Sequence, residues 1–225
     1  MLADTSGGVL FTIPVEDWTA IGQRVDAAIG LSGIAKQVGV YLLGFETLVG
    51  ACQAWIGQTR PAIGAAAQSL ARYCDTAITA FQQLKTTVSG PLTPQVQQQV
   101  TDALTALTAR TTPLNGQFHQ LSGQITDFAL INRTEDAQIE RYVARLGPDW
   151  RSILPQTSRV DDASGLMRGV WQALSADLNA LVTERIDVSV PFIASLKIDV
   201  ALAGWTGLRS EAQSFLAQHA ARTPA

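Results

Sequence analysis

The chain is short of charge, of histidine and of cysteine. Asp, Glu, Lys and Arg make up 16% of its 225 residues and leave a net charge of −3, against roughly 25% charged residues in ordinary soluble domains. No Lys/Arg cluster occurs. Nucleic acid is therefore not an expected partner, because binding it needs a basic stripe that displaces counterions. Polybasic attachment to anionic lipid is unsupported for the same reason. The two histidines, His119 and His219, have no Cys, His or carboxylate at metal-ligand spacing, so neither a metal nor a cofactor is expected. Gly30, Gly33, Gly39 and Gly44 follow no strand and precede no Gly-Lys-Ser/Thr, and no nucleophile-elbow pattern occurs. The neighbouring carboxylates Glu135 with Asp136, and Asp161 with Asp162, would point in different directions from a helix. Catalysis and a small-molecule substrate are accordingly not expected.

Cys52 and Cys74 are the two cysteines. On one continuous helix they would lie roughly 33 Å apart, far beyond disulfide reach, whereas a hairpin near Arg60 and Pro61 would bring them closer. Two free, partly buried thiols are the expected state. The first residues, Met1 to Pro14, lack a positively charged start and an apolar core followed by a small-residue cleavage site, so no secretory signal is expected and the chain reads as cytoplasmic as synthesised. Asn132-Arg133-Thr134 spells a glycosylation acceptor, which carries meaning only in a glycosylating pathway.

What the chain does have is helical periodicity, supported by 47% hydrophobic content. From Pro94 to Leu146 one heptad register persists. Starting at Leu104, alternating steps of three and four reach Leu107, Thr111, Leu114, Phe118, Leu121, Ile125, Phe128, Asn132, Glu135, Ile139, Tyr142 and Leu146, the pattern of a coiled-coil seam. Such a run makes a rod roughly 80 Å long. Asn132 and Glu135 are polar positions in that seam, suited to fixing register or ending the packed zone. Thr93 and Pro94 form a helix start, Pro113 predicts a kink, and Gly147 with Pro148 stops the helix.

Elsewhere, residues 1–14 read as a flexible lead-in. A first helical region begins near Val15, with Glu16 and Asp17 in its first turn, and runs toward Thr59, where Pro61 kinks or restarts it. A second segment places Ile63, Ala67, Leu70, Cys74, Ala77, Phe81 and Leu84 at helical spacing. Residues 147–165 read as a polar connection in which Ser158 and Asp161 have capping-box spacing. A fourth segment presents Met167, Val170, Leu174, Leu178, Leu181 and Ile186, and a fifth presents Ile193, Leu196, Val200, Gly204, Leu208, Ala212 and Phe215. The expectation is an all-α fold: a single domain over 1–225, an elongated antiparallel bundle of about five helices with one very long central helix.

The stretch from Ala27 to Gly57 is apolar, with Lys36 and Glu46 as its charges. Two readings stand. It is a helix buried at the centre of the bundle, or it enters a membrane on some trigger, since its length suffices and its glycines permit close helix approach. Ile34, Val38, Leu42, Phe45 and Leu48 are the residues expected to meet membrane or partner.

Several phrases resemble the α-helical pore-forming toxins of the cytolysin A, haemolysin BL, non-haemolytic enterotoxin and xenorhabdolysin type. They are LNGQFHQLSGQITDFALINRTEDAQI (Leu114 to Ile139), GVWQALSADLNAL (Gly169 to Leu181), LKIDVALAGWTGLRSEAQSF (Leu196 to Phe215) and ACQAWIGQTRPAI (Ala51 to Ile63). The apolar hairpin that such proteins usually send into the membrane has no counterpart, because the corresponding link carries Asp149, Arg151, Arg159, Asp161 and Asp162. The resemblance implies a component of a multicomponent toxin system that assembles with other toxin components, with itself or with a target membrane by helix rearrangement, after release from the cell. The alternative is a non-enzymatic cytoplasmic or secretion-associated helical scaffold.

Overall fold

The computed structural model describes residues 14–38, 45–89, 93–146, 157–183 and 191–221. Every element among them is helical: α1 (Val15–Val38), α2 (Phe45–Ala54), a π-helical turn (Trp55–Thr59), α3 (Arg60–Val88), α4 (Pro94–Leu146), α5 (Thr157–Thr183) and α6 (Pro191–Ala221). The all-α expectation holds, and α4, at 53 residues, is the very long helix that its heptads require.

The α4 seam faces inward along its described length. Leu107, Thr111, Leu114, Phe118, Leu121, Ile125, Phe128, Asn132 and Glu135 are all buried, and Leu104 is half-buried. The side chains of Ile139, Tyr142 and Leu146 lie outside the described residues. Thr111 tolerates its place because its hydroxyl donates to the Thr108 carbonyl at 2.7 Å. The helix starts as its sequence predicts, with the Val96 amide donating to Thr93 Oγ1 at 3.3 Å. It runs on through Pro113 without interruption.

The expected restart at Pro61 does not occur: α2, the π turn and α3 are one continuous helix. Proline has no amide hydrogen, and its ring presses on the carbonyl four residues back, here that of Gly57. A wider turn relieves that pressure. The Arg60 amide reaches back five residues to the Trp55 carbonyl, which inserts one additional residue into the turn. Side-chain burial follows the insertion. In α3 the inward positions Ile63, Ala67, Leu70, Cys74, Ala77, Phe81, Leu84 and Val88 alternate steps of four and three. Continued upstream, that rhythm would turn Arg60, Ile56, Gln53 and Val49 inward. Instead Thr59, Trp55, Cys52 and Leu48 are buried and Ile56 is 44% exposed, an offset of one residue.

The last two helices differ from expectation in detail. The connection predicted over 147–165 is shorter, because α5 already begins at Thr157. Val160, Ala163 and Ser164 are buried, and Asp161, predicted as part of a cap, accepts from Arg133 of α4 at 2.8 Å. Met167 is buried as expected, but Trp171 joins it while Val170 is only half-buried. Of the other α5 positions, Ile186 and the side chains of Leu174, Leu178 and Leu181 lie outside the described residues. On α6 Leu208, Ala212 and Phe215 are buried, but upstream the inward set is Ile198, Ala201 and Trp205, and Val200 is 43% exposed. Gly204 is half-buried. The side chains of Ile193 and Leu196 lie outside the described residues.

Two compact units can be distinguished. One takes in Gly64–Phe118 and the described residues from Gln172 onward; the other takes in the described residues up to Ile63 together with His119–Trp171. In the first unit, Arg209 with Asp75 at 3.1 Å and Lys85 with Asp199 at 2.6 Å set α3 and α6 antiparallel. These pairs are about half exposed, so each contributes no more than about 1 kcal/mol. Tyr73 packs edge-on to Trp205 at 5.4 Å and donates from its hydroxyl to the Leu107 carbonyl at 3.1 Å, which ties α3 to α4. Gly64 allows His219 to lie close, since a Cβ there would be 3.1 Å from the imidazole Cε1. In the second unit α1 packs on α2, and the π turn seats Trp55 on Phe128 of α4, ring centres 4.4 Å apart.

Candidate functional site

The five residues expected to meet membrane or partner span the end of α1 and the start of α2. Ile34 and Val38 belong to α1 and Phe45 opens α2, but their side chains, like the whole of Leu42, lie outside the described residues. Leu48 is described, and it is fully buried. Its face of α2 is therefore already filled. Among the described residues no helix is long and apolar enough to cross a membrane, which answers the membrane reading of Ala27 to Gly57 for the described part of that stretch.

One turn further into the same unit, the core becomes polar. On α1, Trp18, Ile21, Val25 and Ala28 are buried at steps of three and four, and Arg24 is wholly buried beside them. Its Nε donates to Asn132 Oδ1 at 3.2 Å. Asn132 is also anchored to its own helix, with Nδ2 donating to the Phe128 carbonyl at 2.9 Å. That second bond fixes which end of the carboxamide faces Arg24, so the acceptor meets the guanidinium and the donor meets a carbonyl. Glu135, the next seam position, is also buried. The seam of α4 thus carries apolar side chains from Leu114 to Phe128 and polar ones at Asn132 and Glu135, as predicted for residues that fix register or end the packed zone.

Cys52 of α2 is the third part of this region. It is a buried free thiol whose burial pushes it up to about 11, with the positive charge of Arg24 acting in the opposite direction. In the other unit Cys74 is buried and free as well, pushed up to about 12 by burial and by Asp75, against Arg209. Both thiols are protonated at neutral pH and shielded from solvent, the opposite of what a nucleophilic or redox cysteine needs. The expectation of two free, buried thiols is met.

No cluster of His, Cys, Asp and Glu among the described residues could hold a metal ion. His119 is exposed on α4, and His219 stacks on Phe215, ring centres 6.4 Å apart. Of the paired carboxylates, Asp161 turns to Arg133 while Asp162 is exposed.

Sequence reasoning missed Arg24 and the π turn. A signal existed for each: Arg24 lies on the apolar stripe between Ile21 and Ala28, and Pro61 follows Gly57 by the four residues that place its ring against a carbonyl. Comparison with family models, curated proteins and solved structures returns no match.

Proposed function

We propose that the protein is a non-enzymatic component of a multicomponent α-helical pore-forming system, which assembles with partner proteins at a membrane by rearranging its own helices. The observation that carries this reading is the complete burial of Leu48. A side chain meant for lipid or a partner but already enclosed in the bundle reaches either only by exchange of helix contacts. The same unit exposes the large apolar side chains Val15, Ile56, Leu130 and Leu166, positions from which an incoming helix could begin to displace the resident ones. The low charge suits an encounter led by shape and apolar contact rather than by steering.

The test is dye release from liposomes by the protein alone and with the products of neighbouring genes, read together with the emission of Trp18 and Trp55, both buried at rest. Dye release in the presence of a partner, with a change in tryptophan emission, is the expected result. No release in any combination and no emission change with lipid would exclude the membrane role. The absence of a membrane-crossing helix among the described residues favours a second reading, a helical scaffold that binds other proteins without entering lipid. A stable oligomer or complex in light scattering after size exclusion, unaltered by liposomes, is the outcome that reading expects.

A further inference from the structure

We infer that Arg24 is a built-in release device: a guanidinium taken wholly out of water on the core face of α1, and tied to Asn132 of the α4 seam, makes the α1 contact the first part of its unit to open, uncovering Cys52. The inference names what would regulate the helix rearrangement proposed above, but its physical basis lies within one unit.

An apolar side chain at position 24 would lose favourable burial when α1 lifts away. A guanidinium regains its hydration instead, and the desolvation of a buried ion offsets most of what its partners return. Arg24 is fully buried and Asn132 supplies an oriented acceptor, so the closed state is specific in register. Specific is not the same as tight. A polar position in a helical seam selects one alignment at a cost in stability, and here Asn132 and the buried Glu135 are two successive seam positions. Helix α1 is thus held in a single register by contacts weaker than those of an all-apolar seam.

Cys52 reports the opening because it is fully buried, packs in the same unit and stands within the electrostatic reach of Arg24. Cys74, equally buried in the other unit, is the internal control.

The experiment is native-state alkylation of the full chain with iodoacetamide at pH 8, without lipid or partner, with each thiol quantified by peptide mass spectrometry. Cys52 is expected to react about 10-fold or more faster than Cys74. The double variant Arg24→Met with Asn132→Leu, which replaces the buried polar pair by apolar groups of similar size, is expected to slow Cys52 about 10-fold or more and leave Cys74 unchanged. Asn132→Leu alone, which keeps the buried charge and removes its acceptor, should speed Cys52 by a similar factor. Equal reactivity of the two thiols in the native chain, or a double variant in which Cys52 reacts as fast as before or faster, overturns the inference. Acceleration of Cys74 in the double variant reports global unfolding and overturns it too, because the charge would then be holding the bundle together. Liposomes and partners are absent throughout, so the release device can fail while the assembly role stands, and the converse.

Discussion

Truncation of Trp205 to alanine destabilises the protein by about 3–5 kcal/mol, the range for removal of a buried aromatic side chain from a core that relaxes only in part. Trp205 is 1% exposed, sits edge-on to Tyr73, and shares the inward face of α6 with Ile198, Ala201, Leu208 and Ala212. Loss of the indole removes the aromatic contact as well as the buried area. Val200→Ala on the same helix is the matched control, expected to lie within about 0.5 kcal/mol of the native chain because its side chain is exposed. Urea unfolding followed by ellipticity measures both. The pair decides the register of α6: were Val200 inward and Trp205 outward, the two effects would exchange rank.

Alkaline pH is the second large perturbation. Burial raises Cys52 from 9.0 to about 11 and Cys74 from 9.0 to about 12. Tyr73 rises from 10.0 to about 12, mainly through burial, with Cys74 adding to the shift and Arg110 opposing it. For groups whose pKa is raised by folding, the unfolded chain releases its protons first. The stability they contribute is complete below the unfolded values and declines as pH climbs from about 9 toward the folded ones. Two thiols titrating together give a fall of roughly 2–3 kcal/mol per pH unit above pH 9, at about 1.4 kcal/mol for each proton. Urea midpoints at pH 8, 9.5 and 10.5 should therefore drop steeply. Replacing either cysteine by alanine should flatten the slope by about one proton, whatever the substitution does to stability at pH 8. A midpoint constant to pH 10.5 would show that the thiols are not enclosed as described.

Which parts of the molecule could be read from its residues follows from how one-sided each helix is. Along α4 the apolar residues recur on a single stripe amid Gln, Thr and Asp, so only one face can be the core, and Leu107 through Glu135 fall on it. The α3 stripe from Ile63 to Leu84 was legible for the same reason. Helix α6 offers no such contrast. Ile198, Val200, Ala201, Leu202 and Trp205 lie on several sides of one segment, and packing, not pattern, selects Ile198, Ala201 and Trp205 as inward. The start of α5 was hidden because its first turns are polar; there Asp161 faces Arg133 rather than a backbone cap. Arg24 was passed over because a charged residue is almost never fully buried unless paired, and its acceptor lies 108 positions away in sequence. The two polar seam residues were visible, but the side chain they receive was not.

The π turn has a consequence for how the gene may vary. Ahead of it Leu48, Cys52 and Trp55 face inward, and after it Ile63, Ala67 and Leu70 do. Counted with one residue fewer between Trp55 and Ile63, these two sets fall into an unbroken alternation of threes and fours, with Arg60 in the place of Thr59. Gly57 or Gln58 is thus supernumerary. A three-nucleotide deletion at either codon would straighten the helix while leaving the tryptophan and the thiol where they are, so sequences that lack this residue could keep the same core in a plain α-helix.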